Sequence, residues 1–330
     1  MPRRRSAVWG YGNHAKAQII PAMLMSECFD LAAIGSRRFA TPESHVIQGK
    51  EITFCSEREL LADVSIDTVY VSTPSGLHHD HCLAALNAGK NVLCEKPLTT
   101  SAERSRELIR LARDKGLFLA ETFMYLFHPQ FAALSELLRS EALGRIVSVT
   151  CEFGLPPLEK PGFRESALLG GGAFWDLGCY GVSAVLHLLS GRPEVIHVSV
   201  TMAGQDDAAT DRSGAALLRF DAGTHVFLTW GYDLSYRNHL TAWGDGGAVM
   251  ADRVFSKKAD YSSRIETSDK RGVRHVLDTG HANAFVNMLD YIGGHMDETA
   301  CRDRFLAVAE RQAEAMEQLV RRAPAGTLRR

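Results

Sequence analysis

Hydrophobic positions in the first 120 residues follow two alternating rhythms. Short β-branched or aromatic runs at 7–9, 31–34, 52–54, 68–71, 91–94 and 118–121 read as strands. Between them, 77–88, with an apolar stripe of Leu77, Leu83, Ala84 and Leu86, and 102–115 read as amphipathic helices. Gly89 and Gly116 follow these helices, where a left-handed cap favours glycine. Such alternation builds a doubly wound parallel sheet through right-handed crossovers. After about residue 145 the pattern changes to strands with few intervening helices, at 146–153, 195–202, 215–220, 224–230 and 248–251. Turn signals at Asp221-Ala222-Gly223 and Asp245-Gly246-Gly247 join them, which predicts an open, largely antiparallel sheet. Helical periodicity returns at 282–292 and 304–322, giving an α+β second half. The expected division is 1–122 and 123–330.

At 330 residues two cores are expected. Hydrophobic residues make up 45% and charged residues 23%, a globular balance. With 37 Lys and Arg against 39 Asp and Glu, no global positive field is available for a phosphate backbone, so nucleic acid is not an expected partner. The longest apolar runs, such as 117–120 and 215–218, fall far short of a membrane span. Arg3 to Arg5 precede an apolar run cut short at Gly10, so export is not expected. Seven cysteines without a CxxC pair suggest reduced thiols in a cytoplasm.

Gly10-Tyr11-Gly12-Asn13-His14-Ala15 follows the first predicted strand and opens the first predicted helix. In this GxGxxA dinucleotide fingerprint Gly10 makes the tight turn, Gly12 admits a pyrophosphate, and Ala15 permits close helix packing. The helix N-terminus would face the diphosphate. After the second strand comes Gly35-Ser36-Arg37-Arg38, with no acid to hold ribose hydroxyls. A hydroxyl and two guanidinium groups suit a 2'-phosphate, which predicts NADP(H) ahead of NAD(H).

Further motifs are Thr73-Pro74 with His78, Ala88-Gly89-Lys90, and Cys94-Glu95-Lys96-Pro97. Glu121, Phe123-Met124-Tyr125 and Phe127-His128-Pro129 follow, then Gly170-Gly171-Gly172 with Asp176, Gly178 and Tyr180. Together these resemble the Gfo/Idh/MocA family over roughly residues 6–295. The resemblance implies an N-terminal Rossmann domain and a C-terminal α/β domain whose open sheet often forms an oligomer interface, with the nicotinamide between the domains. It also implies that Lys96 contacts substrate and nicotinamide ribose, and that Asp176 and Tyr180 face the substrate. Thr73, Pro74, His78, Glu95 and Lys96 join the fingerprint residues and Ser36 to Arg38 as cofactor candidates. Tyrosine at position 180 resembles the keto-sugar reductases of the family, among them those acting on nucleotide-linked sugars. Leu126 stands where an arginine is common.

The residue chemistry agrees with that implication. Asp176 and Tyr180 are four positions apart after a triple glycine, so in a helix they share a face. A phenol beside the Lys96 ammonium loses its proton more readily as a carbonyl is reduced. Asp176 would orient a substrate hydroxyl or the lysine. Further substrate candidates are Tyr125, His128, Arg164 and Arg237; Lys160, Arg164 and Arg237 offer charge to a diphosphate. His78, His79 and His81 project in different directions from one helix, and no metal is expected there.

The expected activity is therefore NADP(H)-dependent hydride transfer to or from a sugar carbonyl or carbinol, as in a keto-sugar or nucleotide-sugar reductase. The alternatives are a sugar or cyclitol dehydrogenase using NAD(P), and a non-catalytic sensor of nucleotide or sugar. Expected partners are a sugar or sugar nucleotide and further copies of the chain in a homodimer or homotetramer, with no membrane.

Overall fold

The computed structural model describes residues 3–203 and 209–328. Two compact units emerge, Met1–Met124 with Phe285–Ala313, and Tyr125–Ala284 with Glu314–Arg330. Among the described residues no helix is long and apolar enough to cross a membrane.

In the first unit β1 (Arg4–Trp9), β2 (Phe29–Gly35), β3 (Glu43–Ile47), β4 (Lys50–Cys55), β5 (Thr68–Val71), β6 (Asn91–Glu95) and β7 (Leu119–Thr122) form one sheet, ordered β3-β4-β2-β1-β5-β6-β7. Every pairing is parallel except the β3–β4 hairpin. Strand order reverses direction at β1 and β5, the switch point where doubly wound sheets bind ligands. The helices are α1 (Ile20–Met25), entered through a wide π-type turn at Ala15–Ile19, α2 (Glu57–Ala62), α3 (His78–Asn87) and α4 (Ala102–Lys115). Their ends follow local chemistry. Ser56 and Glu59 close a capping box on α2, and Gly116 ends α4 at φ +66°. The central strands are buried on both faces, as Val8, Val69 and Val92 illustrate.

The second unit holds β8 (Ile146–Gly154), β9 (Pro193–Ala203), β10 (Thr210–Phe220), β11 (His225–Gly231), β12 (Arg237–Gly244), β13 (Gly247–Asp252), β14 (Ser263–Asp269) and β15 (Arg274–Gly280). Their order is β15-β14-β13-β12-β8-β11-β10-β9. The sheet is antiparallel except for β8 and β11, which run parallel at its centre. Alternation is clean: Val226, Leu228 and Trp230 are buried, whereas His225, Phe227 and Thr229 are exposed. Against the covered face lie α5 (Pro129–Arg139) and α6 (Cys179–Leu188). Gly181 lets α6 come close, since a Cβ there would stand 3.1 Å from Leu228 Cδ2 and 3.3 Å from Cys151 Cβ.

The chain then forms α7 (Ala284–His295), which joins the first unit, and α8 (Thr299–Arg322). Ser26 Oγ donates to Asp290 Oδ1 at 2.5 Å, and Phe118 packs on Phe305 at 5.1 Å between centroids.

Candidate active site

The fingerprint turn is built by contact between backbones. Gly10 adopts φ +116°, and a Cβ on it would lie 2.4 Å from the Ser72 carbonyl oxygen at the end of β5. Gly12 differs: no protein atom comes within 4 Å of its Cβ position, so its open side admits a ligand. Tyr11 packs edge-on to Phe54 at 5.1 Å with the Lys16 ammonium 4.2 Å from its ring centre, and Asn13 is exposed. Beyond β2, Ser36 Oγ accepts from the Arg38 N–H at 3.4 Å, while the side chains of Arg37 and Arg38 are exposed and form no ion pair among the described residues. Residues 10–14, 36–38, 73–78 and 95–96 all follow or end parallel strands at their carboxyl edge. An open glycine cradle and two arginines without acid partners fit a dinucleotide carrying a 2'-phosphate.

The Glu95-Lys96-Pro97 turn is braced from several sides. Glu95 Oε1 accepts from the Tyr70 hydroxyl at 2.7 Å and lies 3.0 Å from His14 Nε2, joining fingerprint to turn. Burial disfavours the Glu95 carboxylate, yet His14, Tyr70 and Lys96 together hold it below the ordinary glutamate range. His78 is enclosed, with Nδ1 2.7 Å from the Pro97 carbonyl and Nε2 2.9 Å from that of Thr73. Both of its nitrogens face the chain, so His78 fixes the geometry of two cofactor-edge turns. Thr73 Oγ1 meets His81 Nδ1 at 2.9 Å, and Pro74 continues that turn. The Lys96–Pro97 peptide is cis. Glu121, beside Cys94 in the β6–β7 register, accepts from the Leu98 N–H at 3.0 Å. Burial pushes its carboxyl up to about 7, against the pull of that bond and of Lys96.

In the second unit, Gly172 at φ +108° leads into a wide π-type turn, Phe174–Gly178, that runs on into α6. Asp176 and Tyr180 therefore lie about one turn apart on one continuous helical segment. Both are nearly enclosed, at 8% and 7% exposure. Asp176 Oδ2 accepts from Arg164 Nε at 2.7 Å and from the Tyr232 hydroxyl at 2.9 Å. Burial and the neighbouring Asp176 carboxylate raise Tyr232 above the ordinary tyrosine range, so it serves as a donor that keeps its proton. Tyr180 stands in an aromatic wall of Phe153, Tyr125 and Phe255, with centroids at 5.3, 5.8 and 5.8 Å.

The remaining sequence-derived candidates are distributed unevenly. Tyr125 abuts Tyr180, but its hydroxyl donates to Ser183 Oγ at 2.9 Å. His128 is buried at the start of α5. Arg164, expected at a diphosphate, is engaged with Asp176. Arg237 pairs with Glu152 at 2.6 Å. Glu152 alternates in β8 with Cys151 and Phe153, so this pair lies on the sheet face opposite the ring that meets Tyr180. Lys160 is exposed on a loop. Sequence reasoning did not find Tyr232 or Asp211. Asp211 Oδ2 accepts from the Phe174 N–H at 2.7 Å and from Trp230 Nε1 at 3.1 Å, fixing the start of the turn that carries Asp176.

Residues 4–123 match the family model described as "Oxidoreductase family, NAD-binding Rossmann fold", and residues 131–250 match the GFO/IDH/MocA C-terminal domain. The chain belongs to the Gfo/Idh/MocA oxidoreductase family. A dTDP-3,4-didehydro-2,6-dideoxy-alpha-D-glucose 3-reductase from Saccharopolyspora spinosa is 34% identical over 82% of this chain and 80% of its own. A D-xylose 1-dehydrogenase (NADP(+)) 2 from Haloferax volcanii is 35% identical over 79% of each chain. The crystal structure of a 3-ketoreductase from Actinomadura kijaniata, in complex with NADP and TDP-benzene, covers 98% of each chain with a TM-score of 0.87 at 28% identity. As a Gfo/Idh/MocA oxidoreductase, the chain is an enzyme with a Rossmann-type first unit and a mixed-sheet second unit.

Proposed function

We propose that this chain is an NADP(H)-dependent reductase of a keto sugar carried on a nucleoside diphosphate. The observation that carries this reading is the clamp on Asp176 by Arg164 and Tyr232, one helical turn from the nearly enclosed Tyr180. A carboxylate fixed by a guanidinium and a phenol keeps its aim, which suits it to hold a sugar hydroxyl. The reductase from S. spinosa and the NADP and TDP-benzene complex of the A. kijaniata protein support the substrate and cofactor classes.

Gly10 to His14 and Ser36 to Arg38 hold the cofactor, with Thr73, Pro74, Glu95 and Lys96 along its edge. When bound, a nicotinamide there would provide the hydride chemistry at the carbonyl or carbinol carbon. Tyr180 donates its hydroxyl proton to the carbonyl oxygen, and the Lys96 ammonium stabilises the phenolate left behind. Residues 1–122 serve the cofactor. Residues 123–330 serve the substrate and carry the open sheet face through which copies associate as a homodimer or homotetramer.

A second reading, an aldose dehydrogenase running oxidatively, is favoured by the similarity to the xylose enzyme. It uses the same residues. Assays of NADPH consumption with nucleotide-linked keto sugars and of NADP+ reduction with free aldoses separate the two. For Tyr180→Phe, turnover should fall by about 10²- to 10⁴-fold with NADPH affinity retained, the range expected for loss of a general acid. Undiminished turnover would remove Tyr180 from the mechanism.

A further inference from the structure

His128 poses an unsolved hydrogen-bonding problem. It caps α5, and its Nδ1 accepts the Gln130 N–H at 3.1 Å, so the neutral ring carries its proton on Nε2. That Nε2–H is buried and has no acceptor among the described residues, on a residue only 1% exposed. A buried donor without an acceptor is costly, and in native proteins it ordinarily meets a ligand or water. Burial first, and then the charge of Lys257, hold the imidazole down near 4, so the ring is neutral at physiological pH.

Lys257 presents the complementary problem. It lies on the segment between β13 and β14, where Nζ donates to the Val254 carbonyl at 3.2 Å and no carboxylate among the described residues lies within ion-pair distance. Asp252, the acid whose charge acts on Lys257, faces His239 at 3.4 Å and accepts from the Tyr261 hydroxyl at 3.3 Å. Burial pulls the ammonium down to about 7, only partly countered by Asp252, as expected for a cation without its anion.

One side chain ties these two groups into a single framework. Gln130 Nε2 donates to the carbonyls of Asp252 at 2.8 Å and Arg264 at 3.0 Å, pinning both ends of the Lys257 segment to the turn that begins with His128. Phe255 of that segment packs on Tyr125 at 5.5 Å and on Tyr180 at 5.8 Å, so the framework borders the proposed proton donor. Of the three sequence-derived candidates for a diphosphate, Arg164 is engaged with Asp176 and Arg237 with Glu152, while Lys160 is exposed on a loop.

We propose that the His128 Nε2–H and the Lys257 ammonium form a phosphate-binding site that takes the diphosphate of the nucleotide-linked sugar. The source of that phosphate rests on the reductase reading above; the anion site itself does not. A phosphate oxygen gives His128 its acceptor and Lys257 its counterion in one event.

Calorimetric titration of the full chain tests this with inorganic pyrophosphate and with thymidine diphosphate, each in saturating NADP+ so that the cofactor's own phosphate sites are filled. Lys257→Met should weaken both ligands about tenfold or more, as for loss of one charged hydrogen bond, and Lys257→Arg should largely restore them. His128→Asn keeps an acceptor for the α5 cap while removing the Nε2 donor, and it should weaken both ligands several-fold. NADP+ affinity should be the same in all variants. If pyrophosphate binds through Lys257 and thymidine diphosphate does not, the anion site stands and its assignment to a thymidine-linked sugar falls. If thymidine diphosphate binds equally to every variant, the site falls and the nucleotide-sugar reading stands. Parallel loss of NADP+ affinity would transfer the site to the cofactor and overturn the substrate assignment. Absence of pyrophosphate binding to the unaltered chain would overturn the site.

Discussion

Gly10 and Gly12 carry the same residue type two positions apart, and their surroundings assign them different duties. At Gly10 the backbone is left-handed, and a Cβ would collide with the Ser72 carbonyl, a main-chain atom of β5's end that cannot swing away. At Gly12 an added methyl meets no protein atom. Gly10→Ala should therefore destabilise the first unit by about 2 kcal/mol or more, the scale of a strained backbone with a steric clash. Gly12→Ala should leave the unliganded melting temperature nearly unchanged and lose most of the stabilisation that NADPH confers. Thermal unfolding with and without NADPH checks both, and equal effects on the unliganded protein would refute the distinction. The fingerprint was legible because the turn and the phosphate approach each demand glycine at fixed spacing. Tyr232 was not legible: it follows Trp230-Gly231 at the end of β11, and nothing local to that sequence announces a hydroxyl reaching Asp176.

The strands found from sequence are those buried on both faces or alternating cleanly, such as β5, β8 and β11. Those missed, β3, β12, β14 and β15, mix charged and polar residues with few apolar ones; β3 and β15 are also edge strands with little apolar surface to bury. Asp211 belongs to the part of β10 that precedes the predicted 215–220 run, so its support of the Phe174–Gly178 turn came only from the fold. Its burial pushes the carboxyl up to about 6 despite bonds from Trp230 and Phe174. With a folded pKa above the ordinary value, the native state binds more protons than the unfolded chain between about pH 4 and 6. The stabilisation from protonated Asp211 is thus fully present below about pH 4 and is lost as pH rises through 6. Glu121, at about 7, adds a loss of the same sign slightly higher. Asp211→Asn removes one titration and keeps a carbonyl acceptor, so its stability relative to the unaltered chain should rise between pH 4.5 and 7.5, by about 3 kcal/mol at most. Urea unfolding at both pH values measures this, and a pH-independent difference would show that Asp211 is not the titrating group.

At the scale of the molecule, the eight-stranded sheet in the second unit presents one face that its own helices do not cover. The register aligns Phe227, Thr150, Thr241, Met250, Glu266 and Val276 in a row across five strands and the intervening β8. Trp243 and Val276 are each 63% exposed and Phe227 is 45% exposed. Large apolar groups concentrated on one face among polar ones mark a protein contact more often than a solvent surface. Identical faces meeting about a twofold axis would bury them in an isologous interface, consistent with a homodimer or with a tetramer built from dimers. The Arg237–Glu152 pair lies on this same face. Trp243→Glu together with Phe227→Asp should lower the mass seen by light scattering to that of the next smaller assembly, while circular dichroism stays unchanged because both side chains point away from the core. An unaltered chain that is monomeric at tens of micromolar, a concentration at which typical specific interfaces are largely formed, would refute the assignment of this face.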